Sequence, residues 1–325
     1  MFTLENTPQM VVPNATIVNK KPNPFIEANT VSVDMEHLKN DCIIPVFSKD
    51  NESTISHYQF INQTLKVVRE MHPEIAISMP SIRVSHTIKG RIPSAIGKPV
   101  RELLNEEKTV YYERCAFVIG LPEYTRTING CELKMSIGGV RAYNQENLYS
   151  KKSPEKFKVF VGFQNKICTN LCISTDGFSN SIRLSTLEEL DIQIKNLLVS
   201  YDMDSQVAQL EQFQKLSLKE SQFAHLIGKL RMWSHLEKEE RSNKFPISLS
   251  DSQVSIVIKD YYNCPNFKRS EDGSIDLWRL YNLFTEANKS TYIDKSLERN
   301  VKAYELTLEI AKSLQTKDSN WFINN

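Results

Sequence analysis

The hydrophobic period of this chain changes once, and that change narrows its possible folds more than any other feature. From Ile75 to Ile173 the period is two. Ile82, Val84, His86 and Ile88 alternate with Arg83, Ser85, Thr87 and Lys89. Leu133, Met135 and Ile137 alternate with Glu132, Lys134 and Ser136. Phe157, Val159, Val161 and Phe163 alternate with Lys156, Lys158 and Phe160. A period of two places one set of side chains on each face of a strand. After Ser185 the period becomes helical, with stripes such as Leu187, Leu190, Ile194, Leu197 and Tyr201, and then Leu297, Val301, Tyr304, Leu308 and Ala311.

Turn chemistry punctuates the strand region. Asn129-Gly130 between two β-like runs predicts a type I′ hairpin. Gln164-Asn165-Lys166 predicts a second hairpin before a strand at Ile167–Ile173, and Gly138-Gly139 reads as a turn or bulge. Two earlier elements are expected: a short strand at Ile43–Phe47 and a helix carrying Tyr58, Ile61, Leu65, Val68 and Met71. Strands followed by helices, without βαβ alternation, predict an α+β fold. In it an N-terminal antiparallel sheet with a few helices precedes an all-helical C-terminal half. The expected units are a poorly ordered arm over 1–30, a β-rich domain over 31–184 and a helical region over 185–325 that packs on or beside the sheet.

Several classes of function are disfavoured. No apolar run approaches the ~20 residues of a membrane helix. Met1–Glu5 has neither the basic nor the apolar stretch of a signal peptide. Six scattered cysteines fit reduced thiols in a cytoplasm better than a disulfide scaffold. Ten glycines argue against glycine-rich cradles. In Gly90–Pro99, six residues separate the glycines where a phosphate loop has four, and Pro99 stands where a Mg²⁺-binding hydroxyl belongs. Cys168 and Cys172, four apart on a strand, would lie ~13 Å from each other, too far for one zinc ion or a disulfide. No metal set and no cofactor is expected. His86 falls on the apolar parity of its strand and reads as a core histidine.

Charge is the feature that stands out. The whole chain carries +1, yet residues 83–101 carry +5, residues 141–168, including Lys151 and Lys152, carry +4, and residues 186–204 carry −4. By strand parity Arg83, Lys89 and Arg91 share one face, and Lys156, Lys158 and Phe160 share another. Coincident faces would offer a single-stranded backbone a row of cations with an aromatic between them.

The same segments carry a family resemblance. Ser85–Pro93, Glu107–Arg114, Gly138–Asn144, Phe157–Phe163 and Cys168–Cys172 resemble blocks of a bacterial family labelled domain of unknown function 3871. That family is common in Bacteroidetes-type bacteria and often lies beside mobile elements. Cys168-Thr-Asn170 and Asp276–Glu286 are similar, more distantly, to the phage/plasmid-like protein family. There a Cys-Thr-Asn strand end precedes a helix with Asn-x-x-Thr-Glu, here Asn282 and Thr285-Glu286. The resemblance implies a mobile-element setting and DNA as a partner, and hands no residue a catalytic role.

The expected function is a non-enzymatic nucleic-acid-binding or recombination accessory protein. Arg83, Lys89, Arg91, Lys156 and Lys158 would meet phosphates and Phe160 would stack on a base, with single-stranded DNA as the partner. Two alternatives stay open. One is a protein-interaction module acting on host or element machinery, through a protein partner or self-association. The other is an unrecognised hydrolase or transferase using His86 or Cys168. Asn282 and Thr285-Glu286 are expected to tie their helix to a neighbour by side-chain hydrogen bonds.

Overall fold

A computed structural model describes residues 23–42, 54–95, 97–146, 154–242 and 249–324. The strand expected at Ile43–Phe47, Lys151, Lys152 and residues 1–22 of the N-terminal arm lie outside these.

The chain opens with β1 (Val31–Val33) and α1 (Met35–Asn40). Then comes α2 (His57–Met71), whose N-terminus is closed by a reciprocal Ser56–Gln59 capping box. The strands β2 (Ser81–Val84), β3 (Thr87–Arg91), β4 (Lys108–Tyr112), β5 (Arg114–Ile128), β6 (Cys131–Ala142), β7 (Glu155–Asn165), β8 (Leu171–Cys172) and β9 (Phe178–Leu184) follow. Helices α3 (Leu187–Ser200) and α4 (Met203–Lys215), strand β10 (Ser217–Leu218), and helices α5 (Glu220–Met232), α6 (Lys238–Ser242) and α7 (Asp251–Asn263) come next. Strand β11 (Ile275–Asp276), α8 (Leu277–Asn288) and the long α9 (Ile293–Thr316) complete the chain.

Seven strands form one antiparallel, curled sheet in the order β1-β2-β5-β6-β7-β8, with β9 also on β7. The hairpin at Asn129-Gly130 joins β5 to β6 with both residues at positive φ, as a type I′ turn requires. β3 and β4 pair only with each other among the named strands and stand apart as a two-stranded arm.

Both faces of the sheet are covered. On one, Phe60 of α2 meets Phe117 and Phe157 edge-on at 5.0 and 4.9 Å. On the other, Ile293, Leu297 and Val301 of α9, with Phe25 and Ile26, bury Ala116, Val118, Val140 and Phe160. Gly138 and Gly139 are not a turn. They lie inside β6, where a Cβ on Gly138 would strike the Phe160 ring and one on Gly139 the Phe60 ring. Two aromatic rings press on the strand from opposite sides, and only glycine leaves room.

The expected fold needs correction. Helices are not confined to the C-terminal half, because α1 and α2 precede the main strands and α2 supplies one cover of the sheet. Nor is the C-terminal half all-helical, since β10 and β11 pair within it. The fold is mixed α+β. No helix among the described residues is long and apolar enough to cross a membrane.

Candidate functional site

The strand expected at Ile82–Ile88 is broken. β2 ends at Val84, and Ser85-His86 turn the chain away into β3. This break opens a cleft of about 860 Å³. Its walls come from Ala28–Thr30, Ser85-His86, Arg114 at the start of β5, the N-terminus of α7 and the Ser290–Arg299 stretch that begins α9.

Each wall residue has a local cause. Gln253, buried in the first turn of α7, donates to Ala287 O, Ser290 Oγ and Thr291 Oγ1 at 3.1, 3.1 and 2.8 Å. Its Oε1 accepts from Arg299, which fixes that guanidinium in the wall. Burial lowers the proton affinity of Arg299 from its ordinary value, so an anion in the cleft would relieve its desolvation. Arg114 is held by Glu113 at 3.2 Å, while its buried Nε has no hydrogen-bond partner and lies 3.6 Å from Asp294. Lys295 is exposed. Tyr292, the N-cap residue of α9, is 59% exposed, and the Arg114 guanidinium lies 5.9 Å from its ring centroid. No side chain caps this helix, so its first N–H groups add positive potential at the same edge. One lining carboxylate, Asp294, stands against Arg114, Lys295 and Arg299.

The residues expected to bind nucleic acid are placed differently. Arg83, Lys156, Lys158 and Phe160 do share one face of the sheet, through Arg83↔Ala116 and Val140↔Lys158. That face is not open. Phe160 is 1% exposed beneath α9 and cannot stack on a base. Lys158 is paired with Glu298 at 2.7 Å and donates to Asp294 O. Arg83 donates to Thr30 Oγ1 and O at 3.0 and 2.6 Å. Lys156 is exposed, with Nζ on Gln145 O at 2.7 Å. Lys89 and Arg91 leave this face altogether. They project from the arm, Lys89 exposed and Arg91 donating to Lys98 O. His86 is exposed at the cleft edge and is not a core residue, because the strand breaks before it. Sequence reasoning missed Arg114, Tyr292, Lys295 and Arg299. Tyr292, outside the apolar stripe that starts at Leu297, was the available mark.

The Cys-Thr-Asn segment belongs to a structural knot. Asn165 at the end of β7 donates to the Asn282 side-chain Oδ1 at 3.5 Å and Asn170 to the Asn282 main-chain O at 3.1 Å, so Asn282 ties α8 to the β7–β8 corner as expected. The Thr285 hydroxyl instead bonds Tyr281 O and Asn282 O within α8, and Glu286 pairs with Lys289. Lys289, 2% exposed, donates to Cys168 O and to Glu286 at 2.9 Å. Thr169 sits at φ 60, a conformation β-branched residues rarely adopt, held by its N–H on Asn165 O and its hydroxyl on Asn23 O. Cys168 lies in this turn, not on a strand. Burial pushes its thiol up to about 12, which leaves it unreactive at neutral pH. No three metal-ligating side chains come together among the described residues.

Comparison with known proteins gives one match. The family model described as "Domain of unknown function, B. Theta Gene description (DUF3871)" covers residues 5–323. No curated protein and no solved structure matches the chain.

Proposed function

The chain belongs to the DUF3871 family, and from its geometry we propose that it binds single-stranded nucleic acid in the cleft beside Tyr292. It acts as a non-enzymatic accessory of a mobile genetic element in the cytoplasm. One observation carries this reading. An exposed aromatic ring stands among Arg114, Lys295 and Arg299 in an open cleft with a single lining carboxylate. Cations that track a phosphate backbone, interleaved with a ring on which a base can stack, are what sequence-tolerant single-strand binding needs. The arm extends the track, because Ser85-His86 and Arg114 lie at its root and Lys89 and Arg91 along it.

Fluorescence anisotropy with a labelled oligothymidylate tests it. Binding at 50 mM salt should weaken as salt rises, with a log–log slope near −0.7 per phosphate contact. Tyr292→Ala should cost about 1–3 kcal/mol of affinity. A wild-type protein that binds no oligonucleotide at 50 mM salt, or a Tyr292→Ala variant that binds as well as wild type, would falsify the proposal.

A further inference from the structure

A half-buried thiol lies just past the end of α1, among residues that do not line the cleft. Asp41 ends the helix, and Cys42 follows it and bridges to Val110 of β4. His37, one turn earlier, reaches both. Its Nδ1 lies 2.8 Å from Asp41 Oδ2, and its Nε2 lies 2.9 Å from Tyr112 Oη and 3.7 Å from Cys42 Sγ. A carboxylate at Nδ1 selects the tautomer with the proton there. The Nε2 lone pair then faces the Tyr112 hydroxyl and the thiol. A nucleophile within reach of a base, with the base oriented by a third group, is the arrangement of an activated nucleophile.

We propose that Cys42 is a thiol–disulfide exchange site that takes low-molecular-weight disulfides, with His37 as its base and Asp41 and Tyr112 as positioning residues. The Cys42 proton passes to His37 Nε2 as Sγ attacks one sulfur of the disulfide. The new S–S bond forms while the old one breaks, and the departing thiolate takes the proton from His37. The products are a mixed disulfide on Cys42 and one free small thiol, so protons and electrons balance. Exchange needs a base and a proton donor for the leaving sulfur and no oxyanion donors. That requirement fits a group made of a thiol, an imidazole, a carboxylate and a phenol.

The base is necessary here. Burial and the Asp41 charge push the Cys42 thiol up to about 11, so the sulfur does not ionise unaided at neutral pH. The titratable groups around it are Asp41 and His37 of the α1 end, Tyr112 of β4 and Cys115 of β5. Tyr112 and Cys115 both hold their protons more tightly than usual, first through burial and then through the charge a Cys42 thiolate would carry. Neither competes as the nucleophile. The site is independent of the nucleic-acid cleft.

The test uses the folded full-length protein and 5,5′-dithiobis(2-nitrobenzoate), whose released thiolate is read by absorbance. Cys264→Ser removes the other half-exposed thiol, and Cys115, Cys131, Cys168 and Cys172 are buried. Cys42 should react as a single phase near pH 7, faster than Cys264 does in a Cys42→Ser protein. His37→Gln should slow it at least about tenfold, and Asp41→Asn should slow it too, by less, because losing the Asp41 charge also eases ionisation of the thiol. In His37→Gln the rate should climb with pH until the thiol ionises alone, near about 11, whereas wild type levels off well below that. If His37→Gln lowers the melting temperature, Asp41→Asn, which leaves the imidazole in place, decides alone. A Cys42 phase no faster than that of Cys264, or one unchanged by the deciding variant, overturns the proposal.

Discussion

Two arginines at the same end of the sheet have opposite fates. Arg114 opens β5 and Arg141 is the last residue but one of β6, with Arg114 opposite Ala142 and Arg141 opposite Cys115. They are near neighbours pointing to opposite faces. Arg141 is 1% exposed and fully engaged. It donates to Glu146 at 3.2 and 3.3 Å, to Glu155 and to Ile55 O, between the rings of Tyr143 and Phe157 at 4.6 and 4.5 Å. Arg114 has one close carboxylate, a longer approach to Asp294 and an Nε with no hydrogen bond. A cation marks a binding site only where its charge is left incompletely satisfied next to open space. Arg141 is a fastener, whereas Arg114, paired with Glu113 and approached by Asp294, borders the cleft and is the arginine the proposed binding would use.

The largest effect should come from unfastening the first arginine. Arg141→Leu leaves Glu146 and Glu155 buried without their cation, which costs about 3–5 kcal/mol. Urea unfolding should show this loss, and a loss below about 1 kcal/mol would remove the distinction between the two arginines.

His57, stacked on Tyr143 at 4.5 Å, sharpens the same contrast. Burial, followed by the nearby Arg141 charge, lowers its pKa to about 3 against an ordinary 6.5. Below 6.5 the unfolded chain takes up a proton that the folded chain refuses, so stability is complete above 6.5 and is lost as pH falls toward about 3. Between pH 7 and pH 4 wild type should lose about 3 kcal/mol more than His57→Gln. Parallel pH profiles for the two proteins would show that the Arg141 pocket does not hold His57 neutral.

The smallest stability effect belongs to Arg114→Gln. It should change stability by less than about 1 kcal/mol and weaken oligonucleotide binding about tenfold, near 1.4 kcal/mol. A variant that unfolds but binds normally once refolded would reverse the assignment of the two arginines.

How far the sequence was legible follows from what periodicity can encode. Pairing signals local to one hairpin came through, as at Asn129-Gly130, and so did the Asn282 side chain as a tie between α8 and the end of β7, but not Thr285-Glu286, whose bonds run to their own helix and to Lys289. Parity put Lys156, Lys158 and Phe160 on one face of their strand, and the registers bring Arg83 to that same face, while Lys89 and Arg91, which parity grouped with Arg83, leave it on β3. What parity cannot say is whether a second layer covers that face. The run Val159–Phe163 held the clue, because it is apolar on both parities, as strands buried on two sides are. The break at Ser85-His86 left no mark in an alternation that runs unbroken through Ile88. The cleft was illegible for a different reason. Arg114, Gln253 and Arg299 are ordinary residues of three separate elements, and only the packing of α7 and α9 across the sheet edge brings them together.

Hydrogen exchange, read by mass spectrometry with and without a saturating oligothymidylate at 50 mM salt, tests the central claim most directly. The account predicts slowed exchange at residues 85–91 and 290–299, with β7 unchanged. Protection centred on β7, or none anywhere in the chain, would contradict it.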